Sequence, residues 1–159
     1  RVDGDEFAAR KQALIDRKVA LFGSGADGPD RIYRVGPNQE LLGRPVSALD
    51  VSGASDAEVA LTDPGAYEDV DVAGPVLLIW STGEVSGGDE PRDVAFAVNG
   101  VVRAVSNTFE LANRDGELIA ALIPPSSLRD TPSGGTGGAN EIEIYEVSAS
   151  GQLARMGGS

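Results

Sequence analysis

The chain has 159 residues, of which 41% are hydrophobic, 24% charged and 30 are Gly or Pro, a balance that fits one soluble, loop-rich globular domain rather than a disordered or fibrous one. Its 13 Lys or Arg against 25 Asp or Glu leave a formal charge of −12, a field that repels phosphates and anionic headgroups and so excludes nucleic acid as a partner. It contains neither His nor Cys, which removes the commonest general base, thiolate nucleophiles, disulfides and ordinary zinc sites together.

The first predicted element is an amphipathic helix from about Asp5 to Phe22, which sets Phe7, Leu14, Ile15, Val19 and Phe22 near one face. Arg10, Lys11, Arg17 and Lys18 fall mostly elsewhere on it. Asp5 and Glu6 suit the positive N-terminal pole, and Gly23 is placed to stop the helix. A turn-rich stretch follows to Asp30, so the chain divides into a helix with its linker, 1–30, and a β domain, 31–159. The β domain opens with a short strand at Arg31 to Val35. An irregular segment through Gly36 to Pro45 then drapes over other structure.

From Tyr67 the pattern has period two, with Val70 and Val72 between Asp69 and Asp71, and Pro75 then opens the strand-sized run Val76 to Trp80. This is the longest apolar run, far short of the 18 or so residues that span a bilayer, so direct membrane insertion is not expected. Asn99-Gly100 between two apolar pentads predicts a hairpin with a two-residue turn, its strands covered on both faces and Arg103 the one charge needing a partner. Leu118 to Ile123 and Glu141 to Val147 read as further strands, and the Gly-rich run 131–139 between them as a mobile surface loop. Several short strands with frequent turn signals predict a mainly β fold. The expected form is an antiparallel, immunoglobulin-like β-sandwich behind one helix, with a small barrel as the alternative.

No constellation of residues makes a complete active site. A Ser-Lys pair would need Lys11 or Lys18, the only lysines, and both belong to the surface of the helix. The pairs Asp69 with Asp71 and Asp89 with Glu90 could bind a cation or serve sugar hydrolysis, but the first alternates with valines as a solvated strand face does. Gly23 to Gly28 spells G-x-G-x-x-G. It follows a helix rather than opening one, which presents the wrong pole to a phosphate. Trp80 is the only Trp; core or interface burial suits it better than stacking on a sugar. Catalytic, cofactor-binding and metal-binding residues are accordingly expected to be none, with weak carbohydrate or cation binding as the remaining ligand chemistry.

Three phrases carry a resemblance: Arg17 to Gly23; Ile32-Tyr-Arg-Val-Gly-Pro37 with Glu40 to Arg44; and Val94 to Val105, continued by Ala120 to Pro125, Leu128-Arg129 and Asn140 to Val147. In this order the chain resembles the C-terminal region of bacterial membrane-anchored sulfatase-like proteins of the alkaline phosphatase superfamily. In that family a β-rich domain closes a chain whose transmembrane helices precede an extracytoplasmic hydrolase domain. The resemblance implies a parent that hydrolyses or transfers sulfate or phosphate esters, with this piece, which begins at Arg1 rather than Met, cut from it. The family's Cys/Ser-x-Pro-x-Arg signature and its Asp and His metal ligands are absent, so no functional residue carries over. Residues 130–139 stand where a short Gly-Asn turn is expected.

Two functions follow as expectations. The first is a non-catalytic extracytoplasmic accessory domain, tethered through the parent's transmembrane region and docking on or stabilising the hydrolase domain of the same chain. It predicts an exposed apolar patch at the helix or at Gly36 to Gly43. The second is a carbohydrate- or ligand-binding module of an envelope protein, which requires Trp80, Tyr33, Tyr67 or Tyr145 to be exposed.

Overall fold

The computed structural model describes residues 4–22, 33–68, 70–72, 79–87, 90–131 and 139–158. The chain forms two compact units, residues 1–34 and 35–159. In the first, a 19-residue helix, α1 (Gly4–Phe22), has no Pro or Gly in its interior, and Gln12 Nε2 donates to Asp16 Oδ1 at 2.8 Å one turn on. Its residues 10–20 are exposed, Leu14, Ile15 and Val19 among them. The expected helix is therefore present.

The second unit is mainly β. Its strands are β1 (Val51–Leu61), β2 (Ile79–Ser86), β3 (Asp93–Val98), β4 (Val101–Asn107), β5 (Phe109–Leu111), β6 (Arg114–Ile123), β7 (Ile142–Val147) and β8 (Leu153–Gly157). They form one sheet in the order β4-β3-β7-β8-β1-β2-β6-β5. Where the sequence predicts an antiparallel two-sheet sandwich, the sheet is single and mixed: β1 runs parallel to β8, with register shifts on either side of Ala54. A parallel pair needs a long connection, and nearly a hundred residues separate these two strands.

The sheet curls because of how its edges are connected. β4 and β5 form opposite edges, yet only Thr108 separates them in the chain, and β4 lies against β6. Thr108 is buried; its N–H donates to Arg92 O at 2.8 Å and its Oγ1 accepts from Arg92 N–H at 2.6 Å, which pins the corner. The curl wraps one core, with Ala57, Val59, Val85, Val94, Phe96, Val98, Ile119, Ile123, Ile144 and Met156 pointing inward.

A second core lies outside β3, β4, β7 and β8. There Leu41, flanked by Leu42, Val46 and Leu49, covers Ala95, Ala97, Val102, Val105, Tyr145, Val147 and Leu153. The segment 36–49 is thus a strap, as expected from its irregular sequence. Gly43 N–H donates to Val102 O, Val102 N–H to Arg44 O and Val46 N–H to Gly100 O, which occupies backbone groups along the outer edge of β4. Gly36 starts the strap at φ 111°, where a Cβ would stand 2.5 Å from Val105 O. Asn99 (φ 52°) and Gly100 (φ 77°) make the expected hairpin turn.

Two expected strands are not found among the described residues. Residues 33–35 carry no strand, and 31–32 lie outside the described residues. Pro64–Tyr67 is a 3-10 turn, and Val70 pairs with a loop instead, donating to Thr131 Oγ1 at 2.9 Å and accepting from Thr131 N–H at 2.8 Å. Those bonds hold Val70 against the core without a ladder. Residues 23–30 and 132–138, which contain the Gly-rich motif and the loop read as mobile, also lie outside the described residues.

Candidate functional site

The strap covers one half of the outside of the curled sheet. The outer positions of β2, β6 and β5 form a different surface. The inward residues of β2 are Ser81, Gly83 and Val85, so Trp80, Thr82, Glu84 and Ser86 point outward. The antiparallel ladder with β6 places Trp80 beside Leu122, Thr82 beside Ala120 and Glu84 beside Leu118; Leu118 is in turn beside Phe109 of β5. Trp80 is 61% exposed, Leu111 45% and Phe109 39%, while Leu118 is buried among its neighbours. Of the two roles expected for Trp80, core or interface burial, the core role is not met: strand alternation from the buried Ser81 turns the ring outward.

β1 extends this face with Glu58 and Ala60, since its Ala57 and Val59 point into the core, and Thr62 follows just past its end. Thr82 Oγ1 donates to Thr62 Oγ1 at 3.1 Å, so two bonded hydroxyls occupy the next position along the face from Trp80. Glu58 and Glu84 line a shallow groove of about 440 Å³ with Ala60, Ser86 and Gly158. The face thus offers an exposed ring, aliphatic neighbours, two hydroxyls and two carboxylates.

The other tyrosine candidates are inside. Tyr33, Tyr67 and Tyr145 are all buried. Burial first, with Asp63 nearby, raises the Tyr67 pKa against a lowering influence of Ser81. Burial, together with Glu143, raises that of Tyr145. The structure brings none of these hydroxyls to the Trp80 face. The expected apolar patch at Gly36 to Gly43 is absent too, because Leu41 is spent on the second core; on the helix Leu14, Ile15 and Val19 are exposed.

A second depression, of about 580 Å³, is lined by Glu90, Arg92, Asp93, Glu146 and Ser148. Its charges other than the exposed Glu90 are engaged within the fold. Arg92 donates to Glu146 Oε2 at 2.8 Å and to Gly87 O at 2.6 Å and lies 3.5 Å from Asp56, while Ser55 Oγ donates to the same Glu146 oxygen. Burial works against the Arg92 charge, but Glu146, Asp56 and Glu117 together keep its pKa above the ordinary value. Asp93 accepts from Asn38 Nδ2 and Asn107 Nδ2. The cluster clasps β1, β3, β7 and the end of β2 rather than facing a ligand.

Asp69 and Asp89 lie outside the described residues; Asp71 and Glu90 are exposed. Among the described residues no three acidic side chains are grouped to hold a metal ion. Lys11 and Lys18 are exposed on α1. Arg103 is the extra residue of a bulge, between Val102 facing Ala97 and Ala104 facing Phe96, and its Nε is buried without a hydrogen bond. No described helix is long and apolar enough to cross a membrane. Leu122, Phe109, Thr62 and Glu58 were not legible as site residues; the only sequence signal was the apolar run of β6. No family model, curated protein or solved structure matches the chain.

Proposed function

We propose that this chain is a non-catalytic, extracytoplasmic accessory domain of a membrane-anchored sulfatase-like hydrolase. It docks on the hydrolase domain of its own parent through the outer face of β2, β6 and β5. The observation that carries the reading is Trp80, 61% exposed beside Leu122 on a face that the strap leaves bare. A large ring in that setting is the usual anchor of a protein contact, since its burial contributes most where water is excluded around it. The three phrases that resemble the family supply the identity of the partner. The missing His, Cys and signature motif support a part without chemistry of its own.

Hydroxyl-radical footprinting of Trp80, Leu122 and Phe109 in the parent polypeptide and in this chain alone tests it. Docking slows labelling of all three in the parent; equal labelling in both ends the reading.

The hydroxyls of Thr62 and Thr82, one same-face position along from Trp80, favour a second reading, a module that stacks an envelope sugar on Trp80. Because Trp80 is the only Trp, its emission reports a sugar directly. Saturable quenching by cell-envelope glycans, lost in Trp80→Ala, would put the sugar reading first.

A further inference from the structure

The turn between β3 and β4 holds a chemically reactive pair. Asn99-Gly100 is the one Asn-Gly step in the chain; the other asparagines precede Gln39, Thr108, Arg114 and Glu141. A glycine has no side chain to hinder its backbone nitrogen, which can attack the carbonyl carbon of the asparagine side chain before it. The new N–C bond closes a succinimide ring, the bond to Nδ2 breaks, and the proton lost by the attacking amide leaves with that nitrogen as ammonia. Water, the one co-reactant, then opens the ring to aspartate or isoaspartate. Both turn residues are partly exposed, within reach of water.

The fold holds the groups that have to move. Asn99 Nδ2 donates to Asn140 Oδ1 at 2.8 Å and, over a longer 3.4 Å, to Ser127 O, while Asn99 Oδ1 accepts from Glu141 N–H at 3.2 Å. Gly100 O accepts from Val46 N–H of the strap at 2.9 Å. Asn140 is itself buried and fixed, donating to Tyr67 O and Arg129 O and accepting from Arg129 N–H. Ring closure turns the side chain and the Asn99-Gly100 peptide towards each other, so these bonds must open first. We infer that Asn99 is a deamidation site latched by Asn140, closed in the native fold and released by local opening of the turn. The product does not latch again. Aspartate has no N–H to offer Asn140 Oδ1 or Ser127 O and sets a charge against both acceptors, and isoaspartate lengthens the backbone of a two-residue turn. The modification is therefore one-way, and it marks molecules whose turn has opened.

The test follows conversion of Asn99 by mass spectrometry of its peptide, at mildly alkaline pH, in the native chain and in urea that unfolds it. The native rate is expected to be roughly tenfold or more below the unfolded one, since only the open fraction reacts. Equal rates overturn the latch. Asn140→Ala is expected to raise the native rate roughly fivefold or more. Val59→Ala, which trims the core in β1 and is brought to the same stability with a little urea, is expected to stay within about twofold of the native rate. Equal acceleration in both variants overturns the assignment to Asn140, because global unfolding then sets the rate. Asn99→Asp stands in for the product and is expected to melt below the native chain; an unchanged melting temperature overturns the one-way step. Should Asn140→Ala fail to fold, the ratio of native to unfolded rates and the Asn99→Asp melt decide without it.

Discussion

At the scale of single residues, the core holds two phenols whose ionisation is coupled to folding. Tyr67 and Tyr145 are buried, and both have pKa values raised above the ordinary 10.0. The folded state therefore keeps these protons more tightly than the unfolded state. Their contribution is complete below about pH 10 and falls as pH rises past it, because the unfolded chain ionises first. Thermal melts between pH 8 and pH 11 should show stability flat at first and then declining. The Tyr67 hydroxyl is also buried without a hydrogen bond of regular geometry, although Ser81 is its polar neighbour. Removing an unpaired buried hydroxyl is nearly neutral or favourable, so Tyr67→Phe is expected to hold or raise stability at pH 7, by up to about 1 kcal/mol, and to shrink the alkaline decline. A loss of more than about 1 kcal/mol at pH 7 would show that the hydroxyl has a partner in solution.

At the scale of elements, the strap is the least regular piece and one of the most consequential. Its entry depends on Gly36, which combines φ 111° with a backbone carbonyl 2.5 Å from where a Cβ would lie. That carbonyl, Val105 O, belongs to β4 and cannot rotate away as a side-chain end could. Gly36→Ala is therefore expected to cost about 2 kcal/mol or more and to expose the second core around Leu41, checked by urea unfolding and by amide exchange at Gly43 and Val46. How far such features are legible in a sequence depends on the range of the interaction. The hairpin was legible because Asn99-Gly100 is a local signal. The helix was legible because its pattern repeats every turn. β1 was not, since Ser52-Gly-Ala-Ser-Asp56 has little strand character and its alternation begins only at Ala57. The two apolar faces of β4 came through correctly, but the bulge at Arg103 that puts Val102 and Val105 on the same strap-facing side was hidden. Asn140 was equally hidden. Its buried amide joins Asn99, Arg129 and Tyr67, residues brought together only by the finished fold. Trp80 shows the same limit at the candidate site, because its place in an apolar run argued for burial while the alternation that turns it outward is set by Ser81 and Gly83.

On the scale of the whole molecule, two electrostatic effects of opposite sign compete, and their salt dependence tells which is larger. Nineteen carboxylates and six arginines within residues 35–159 leave a large excess of like charge, which destabilises a compact state by self-repulsion. Against it stand the ion pairs Arg92–Glu146 and Arg155–Glu143. Arg155 is mostly exposed, so its pair contributes about 1 kcal/mol at most. The Arg92 pair is better shielded and resists screening, since its guanidinium is largely covered and also bonded to Gly87 O. Salt therefore weakens the repulsion more than the attraction. It shortens the screening length from about 30 Å at 0.01 M to about 8 Å at 0.15 M, less than the spacing of charges on opposite sides of a domain. The melting temperature is expected to rise by a few degrees, roughly 2 to 5, between 0.01 M and 0.2 M NaCl at pH 7. A fall over the same range would mean that the ion pairs outweigh the excess charge, and the acidic surface would then act on partners alone without taxing the fold.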